Sequence, residues 1–354
     1  MKTIRLICAL CLASLATTGA LATDTDEDKE KKTPLVSINV SPKLTEGVFK
    51  DFKLHINGYA QGGYDYNSSD NSNSFNFKRA IVWAKADITP RWSFLYMHDF
   101  KNSTLEYYTA YSFGKGLNVR MGQFKTPLSM ENPMSPSKLE LVDCYSQPVR
   151  YLVGFSDPLM GSQGGRDLGL LFYGEAGNSG LKYEFGIMNG QGINKSDGNP
   201  EKDFVLKLDY RVATPLRIVV SGQLGRGHAI ATSAACPTIN EGDNYKRHRL
   251  TAGAEYSSDF LTLRSEWLKG WNGPDQSQGV YATMLKPLCK NFDAIASFDW
   301  LDKNTRLDMR QTNYTIGLQY WFFNKCRIQA QYTRCCPGFA KDYNVVQVQT
   351  QVGF

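Results

Sequence analysis

The sequence lacks any apolar run long enough to cross a bilayer as a helix. Such a helix needs about 20 predominantly apolar residues, and no stretch of that kind occurs in the 354 residues. The mean hydropathy is −0.37. Two classes of protein fit these values. One is a soluble secreted domain, and the other is a membrane β-barrel, whose apolar residues form only half of each strand and are hidden in the average.

Features of enzymes and of nucleic-acid-binding proteins are also scarce. Only four histidines occur, without the spacing of metal ligands, and there is no G-x-S-x-G element. A hydrolase built on Ser, His and Asn remains an alternative, because such partners need not be adjacent in sequence. The formal net charge of +6 is not concentrated in a Lys/Arg block. We therefore expect no catalytic residue, no metal, no cofactor and no nucleic-acid partner.

The N-terminal segment has the pattern of an export signal. Lys2 and Arg5 precede a short apolar run at 6–16, and Ala20 and Ala22 supply the small residues of a cleavage site. This order predicts a secretory signal peptide at 1–22. The charged stretch that follows has nothing to bury. We predict a periplasmic arm at 23–50 and the folded domain at 51–354.

The remainder of the chain alternates between apolar and polar residues in segments of about ten. In the last segment, Val346, Val348 and Val352 fall on one face, whereas Gln349 and Gln351 fall on the other. This period of two is typical of strands with one apolar face. It predicts sixteen strands, at 53–66, 74–88, 91–101, 103–113, 117–125, 166–175, 180–189, 202–211, 216–226, 247–257, 260–270, 278–287, 291–302, 311–322, 325–335 and 344–354.

The connections between these segments are sorted by length. Every second connection is a short turn, and most of the others are longer, with one exception near Asn102. Outer-membrane barrels have short turns on the periplasmic side and longer loops outside. We therefore predict an all-β protein, a transmembrane antiparallel β-barrel of about 16 strands. Both termini would lie on the periplasmic side, and Phe354 would end the last strand as a signal for barrel assembly.

The longest connection, at about 126–165, has some 40 residues. Loops of this length are commonly functional or disordered, and the lumen of a barrel this size is wide enough to hold water. We expect the loop to fold inward and narrow the lumen.

Several short motifs carry a resemblance to a known family. They are GQFKTPLSMENPMSP from Gly122, GRDLG at 165–169, GYAQ at 58–61, YEFGIMNGQGIN at 183–194 and NYTIGLQYWF at 313–322. Together they resemble the phosphate-selective porin O and P family, from about residue 50 to the end. The resemblance implies a sixteen-stranded trimeric channel for anions, with arginines and lysines at its constriction.

The alternation also places basic residues on the lumen side of the strands. A charge facing lipid at the bilayer centre costs about 2–4 kcal/mol, so mid-strand arginines should face inward. The candidate anion-binding residues of the wall are Arg120, Lys207, Arg211, Arg217, Arg249, Arg264 and Arg327. The phase of Arg79 is ambiguous. Acids share these faces, and many of the charges would simply pair: Glu106, Asp209, Glu255 and Glu266.

The long loop contributes a second set of candidate residues. Lys125 lies at its start, Lys138 and Arg150 lie within it, and Arg166 follows it. These are better placed for a constriction. The acids of the same loop weaken a purely cationic interpretation: Glu131, Glu140, Asp143 and Asp157.

Aromatic residues and cysteines complete the pattern. Aromatic side chains near strand ends are typical of the two membrane interfaces, and the candidates are Trp83, Trp92, Tyr107, Tyr111, Phe113, Tyr210, Trp267, Trp300, Tyr320 and Trp321. Six cysteines follow the predicted signal peptide, without C-x-x-C spacing: Cys144, Cys236, Cys289, Cys326, Cys335 and Cys336. Either disulfides form within each side of the membrane, or several are free thiols.

These observations favour a porin in the outer membrane of a Gram-negative-type cell. We expect passive diffusion of small inorganic anions such as phosphate or polyphosphate, in a homotrimer surrounded by outer-membrane lipid. The alternative is a surface interaction protein, whose long loops bind a partner while the barrel serves as an anchor.

Overall fold

The computed structural model describes Ser37–Ile38 and residues 52–354 except Asn178. The predicted signal peptide, 1–22, lies outside the described residues, as does the predicted arm, 23–50, apart from Ser37–Ile38. No helix in the described part of the chain is long and apolar enough to span a membrane.

Sixteen antiparallel strands form a closed barrel. They are β1 Lys53–Asn67, β2 Ser72–Asp87, β3 Trp92–Asp99, β4 Thr104–Gly114, β5 Leu117–Lys125, β6 Arg166–Glu175, β7 Leu181–Met188, β8 Asp203–Ala213, β9 Leu216–His228, β10 Asn244–Ser257, β11 Thr262–Asn272, β12 Asp275–Cys289, β13 Phe292–Asp302, β14 Arg310–Phe323, β15 Cys326–Pro337 and β16 Tyr343–Gly353. A helix, α1, spans Gln147–Leu152. The two-residue strand Ser37–Ile38 pairs with β1.

Each strand pairs with the next along the chain, and β16 pairs with β1 to close the barrel. Closure continues to the last residue, because the Phe354 N–H donates to the Gly58 carbonyl at 3.0 Å. The sixteen predicted strands are therefore confirmed, and those predicted at 117–125 and 166–175 have the observed bounds. The alternation located them because a barrel strand presents one face to lipid and the other to the lumen.

The two faces of the wall differ as the alternation requires. On β14, Ile316 is 63% exposed on the outside, and its neighbour Thr315 is buried on the inside. On β16, Val352 is exposed, whereas Gln349 and Gln351 point inward and are each 1% exposed. The apolar surface outside matches a lipid environment, and the glutamines inside form hydrogen bonds across neighbouring strands.

Moving a charge between these faces tests the orientation. Ile316→Arg places a guanidinium in lipid and should destabilise the barrel by about 2–4 kcal/mol. Thr315→Arg puts the same group one residue away, beside a water-accessible cavity, and should cost much less. Urea unfolding in lipid vesicles would measure both. Equal destabilisation by the two variants would contradict the assigned faces.

The connections are sorted by length less strictly than predicted. At one end they have two to five residues throughout. At the other end, 189–202 and 229–243 are long, but 68–71 and 273–274 are as short as the connection near Asn102. The strands extend further than the sequence pattern indicated, and Gly273, with φ of +56°, permits a two-residue hairpin between β11 and β12.

Candidate functional site

The connection between β5 and β6, hereafter the inner loop (126–165), folds into the barrel. On one side of the lumen, the Ser129 hydroxyl donates to Glu266 of β11 at 2.7 Å, and the Met130 N–H donates to the same carboxylate at 3.1 Å. On another side, Arg327 of β15 donates to the Leu139 carbonyl at 2.8 Å. The predicted inward-folded loop is therefore confirmed, and it is attached to the wall at two separate strands.

Asn132 fastens the base of the inner loop. Its side-chain N–H group donates to the carbonyls of Thr126 at 2.8 Å and Gly165 at 2.9 Å, which joins the two stems. Gly165 has a φ of +63°, and a Cβ there would lie 2.2 Å from the Asn132 Oδ1. Only glycine fits at this position without displacing the asparagine.

Glu131, the neighbouring residue, organises the far part of the inner loop. Its carboxylate accepts hydrogen bonds from the backbone N–H and the hydroxyl of Ser146, each at 3.0 Å, immediately before α1. Burial raises the pKa of Glu131 to about 8. Burial therefore disfavours the charged form of this acid, which counted against a cationic loop.

Most of the predicted wall cations are paired with carboxylates. Arg264 contacts Glu140 at 3.1 Å and Glu255 at 2.8 Å. Three further pairs join neighbouring strands. Their distances are 2.9 Å for Lys207 to Glu184, 3.1 Å for Arg217 to Asp209 and 3.3 Å for Arg217 to Glu255. These side chains face the lumen, and their charge is largely neutralised within the wall.

Arg249 and Arg166 are also committed to structural contacts. Arg249 is nearly buried and donates to the Leu152 carbonyl and the Asn272 Oδ1, both at 2.9 Å. Arg166, which closes the inner loop, pairs with Glu106 at 3.0 Å. Each therefore holds the loop or its stem against the wall.

The remaining predicted cations form no salt bridge within the described residues. Lys125 donates from Nζ to the Met134 carbonyl at 2.5 Å and to the Tyr145 hydroxyl at 3.2 Å. Arg120 stacks on the ring of Tyr108, with its Cζ 4.2 Å from the ring centre, and its Nε is buried without a hydrogen-bond partner. Both point into the lumen beside the inner loop.

The other four predicted cations are Arg150, Lys138, Arg211 and Arg327. Arg150 in α1 bonds only the Asp143 carbonyl, at 3.2 Å, and Lys138 is exposed in the inner loop. Arg211 is exposed at the short-turn end. Arg327 is surrounded by neutral groups of the loop and wall, among them the Gln319 Oε1 at 2.9 Å.

Lys78 was missed, and the phase of Arg79 was ambiguous, because a β-bulge interrupts the alternation in β2. Gln61 of β1 pairs with Arg79, but the next residue, Gly62, pairs with Phe77, which leaves Lys78 unopposed. Two consecutive basic residues therefore face the lumen. Arg79 donates to the Gln61 Oε1 at 2.6 Å and contacts the Cys144 sulfur at 2.8 Å. The adjacent Lys-Arg pair immediately before the apolar run at 80–84 was the available signal.

The inner loop leaves two cavities in the lumen. The outer cavity, of about 500 Å³, lies toward the long-loop end, and its charged lining residues are Arg150, Asp65, Asp143 and Asp299. The inner cavity, of about 310 Å³, lies toward the short-turn end, and its charged lining residues are Arg120, Lys125, Arg166, Glu106 and Glu184. Of these two cavities, the inner one has more cations than acids, and the outer one has more acids than cations.

Two predicted interface aromatics face the lumen instead of lipid. Trp83 lines the inner cavity. The Arg327 guanidinium lies 5.0 Å from the ring centre of Trp321, on the inside of the wall. Trp92 and Phe113 are exposed on the outside. The six cysteines after the predicted signal peptide are all free thiols, so the expected disulfides do not form in this structure.

The chain is similar to known porins in sequence and in fold. Residues 52–210 match the family model described as phosphate-selective porin O and P, which confirms the resemblance for that part of the chain. No curated protein sequence matches the chain. Among solved structures, an anion-selective porin from Comamonas acidovorans superimposes with a TM-score of 0.67 at 14% identity, covering 86% of this chain and 100% of that chain.

Two further solved structures have the same fold. OmpT of Vibrio cholerae, in its trimer form, has a TM-score of 0.61 at 12% identity, covering 86% of this chain and 99% of that chain. The outer-membrane channel DcaP of Acinetobacter baumannii has a TM-score of 0.61 at 11% identity, with 86% and 97% covered. At these identities the likeness shows the fold alone.

Proposed function

We propose that this chain, a porin by its family match and its fold, conducts small anions by passive diffusion across the outer membrane. The observation that carries the proposal is the set of lumen cations without carboxylate partners. Arg120 and Lys125 line the inner cavity, and Arg79 lies beside the inner loop. Such fixed charge in a narrow, partly desolvated passage raises the local concentration of anions.

The proposal extends to the solute, the assembly and the export route. Inorganic anions such as phosphate or polyphosphate fit a cation-lined passage, because guanidinium and ammonium groups donate strong hydrogen bonds to their oxygens. A homotrimer in outer-membrane lipid is supported by the trimer form of the similarly folded OmpT. Export would use the signal peptide at 1–22, and 23–50 would remain as a periplasmic arm.

The alternative of a barrel that serves mainly as a surface anchor is less well supported. It requires long loops outside the barrel, and the longest connection is turned into the lumen. The other connections at that end have at most about 15 residues. A hydrolase is likewise disfavoured by the family match and the fold, both of which point to a channel.

A reversal-potential measurement tests the channel. The purified protein in a planar bilayer under a KCl gradient should pass chloride in preference to potassium by roughly threefold to tenfold, as expected for a local potential of one or two kT. The preference should weaken at high salt, because free charges are screened. A cation-selective pore, or a barrel that does not conduct, would refute the proposal.

A further inference from the structure

The inner cavity has two chemically different walls. Arg120, Lys125 and Arg166 form its charged side, whereas Ile81 and Met97 belong to an apolar side that faces the lumen. We propose that this cavity binds small organic anions with an apolar body, such as an aromatic monocarboxylate. The inference rests on the proposed channel function, because it names a class of solute that binds within the pore.

The apolar side is a continuous surface on adjacent strands. Trp83 of β2 lies directly opposite Met97 of β3, and Leu95 of β3 lies opposite Tyr108 of β4. Lumen positions elsewhere carry mainly polar side chains, such as the glutamines of β15 and β16. Ile81 and Leu95 are buried, but Trp83 and Met97 are half-buried and present apolar surface to the cavity. Such surface is favourable only when something apolar covers it.

The inner loop does not provide that cover. Its Pro133 and Pro136 border the cavity and leave about 310 Å³ between themselves and the wall. Elsewhere the loop is attached to the wall by hydrogen bonds, for example from Arg327 to the Leu139 carbonyl. The inner loop therefore leaves the apolar side of the wall facing an open space.

An unsatisfied polar atom lies at the edge of the same cavity. The Nε of Arg120 is buried without a hydrogen-bond partner. Buried donors of this kind are rare, because each lacks the hydrogen bond that it would make in water. A carboxylate could accept from the guanidinium while its ring covered the apolar side.

The size of the cavity restricts the ligand further. About 310 Å³ is at the lower end for small-molecule sites, and it suits a single ring with one carboxylate. Inorganic phosphate would satisfy the cations but leave the exposed parts of Trp83 and Met97 in water. An apolar cation would meet Arg120 and Lys125, which have no carboxylate partner among the described residues. The site should therefore prefer benzoate to phosphate, acetate and benzylammonium.

Block of the chloride current measures this preference in the intact protein. Benzoate should reduce the current of the bilayer-inserted protein at a concentration about tenfold lower than acetate, which has the same carboxylate without the ring. Benzylammonium should have no effect in the same range. Met97→Gln should weaken the benzoate block about tenfold and leave the reversal potential in KCl unchanged. Met97→Leu should retain the block.

The matched control lies in the other cavity. Tyr343→Gln also replaces a large lumen residue by glutamine, but in the outer cavity, and it should leave the benzoate block unchanged. A binding measurement in detergent provides a second readout: benzoate should alter tryptophan fluorescence in the native protein, and Trp83→Phe should abolish that change.

The outcomes separate the two proposals. Equal block by benzoate and acetate, or no effect of Met97→Gln, would overturn the organic-anion site and leave the anion channel intact. Absence of chloride conductance in the native protein would refute the channel itself. In that case the fluorescence change would still decide whether the cavity binds benzoate.

Discussion

Replacing Arg264 with methionine is expected to release the inner loop from the barrel wall. The guanidinium is 3% exposed and lies between two carboxylates, Glu140 of the loop at 3.1 Å and Glu255 of β10 at 2.8 Å. Removing it leaves Glu140 buried without a cation. Loss of one partner of a buried ion pair costs about 3–5 kcal/mol, which is enough to favour a detached loop.

The detached loop should be visible in conductance and in proteolysis. Single-channel current in the Arg264→Met variant should become larger and noisier, because the loop no longer narrows the lumen in one position. Added protease should cleave within 126–165, and it should leave that segment intact in the native protein.

A double variant supplies the control. Arg264→Met combined with Glu140→Gln removes both buried charges, while Glu255 keeps its contact with Arg217 at 3.3 Å. This protein should regain a quiet, protease-resistant channel. If the double variant is as disturbed as the single one, the lost packing of the arginine stem, and not the unpaired carboxylate, is responsible.

The barrel could be predicted because the alternation of apolar and polar residues depends only on neighbouring positions in the sequence. A strand between lipid and water must alternate, so Ile316 and Thr315 reveal their faces from sequence position alone. The bulge in β2 shows the limit of that argument. At Lys78 the alternation fails, and only the pairing of β1 with β2 shows that Arg79 also faces the lumen.

The candidate site was less predictable because its electrostatics depend on distant pairs. Arg166 was predicted as a constriction residue, but Glu106, 60 positions earlier, neutralises it. Glu131 was counted as a negative charge, but burial raises its pKa to about 8. Alternation places a side chain on the inside of a barrel. It does not indicate which carboxylate the closed barrel brings within 3 Å of it.

Neutralising the unpaired cations of the inner cavity is expected to remove the anion preference. In the double variant Lys125→Gln and Arg120→Gln, the lining keeps Arg166, Glu106 and Glu184, so acids outnumber cations there. The chloride-to-potassium permeability ratio should fall from several-fold to about one or below. Glutamine at 125 retains a donor for the Met134 carbonyl, so the loop stem should keep its position.

The comparison with Arg211→Gln tests whether anion selectivity is set by the inner cavity or by the net charge of the protein. Arg211 is exposed at the short-turn end and forms no salt bridge within the described residues, so its loss changes the net charge without changing the inner cavity. If selectivity is set beside the inner loop, Arg211→Gln should shift the reversal potential only slightly, because exposed charge is screened within about 10 Å at 0.1 M salt. A shift per charge equal to that of the double variant would mean that net lumen charge, and not the inner cavity, selects the ion.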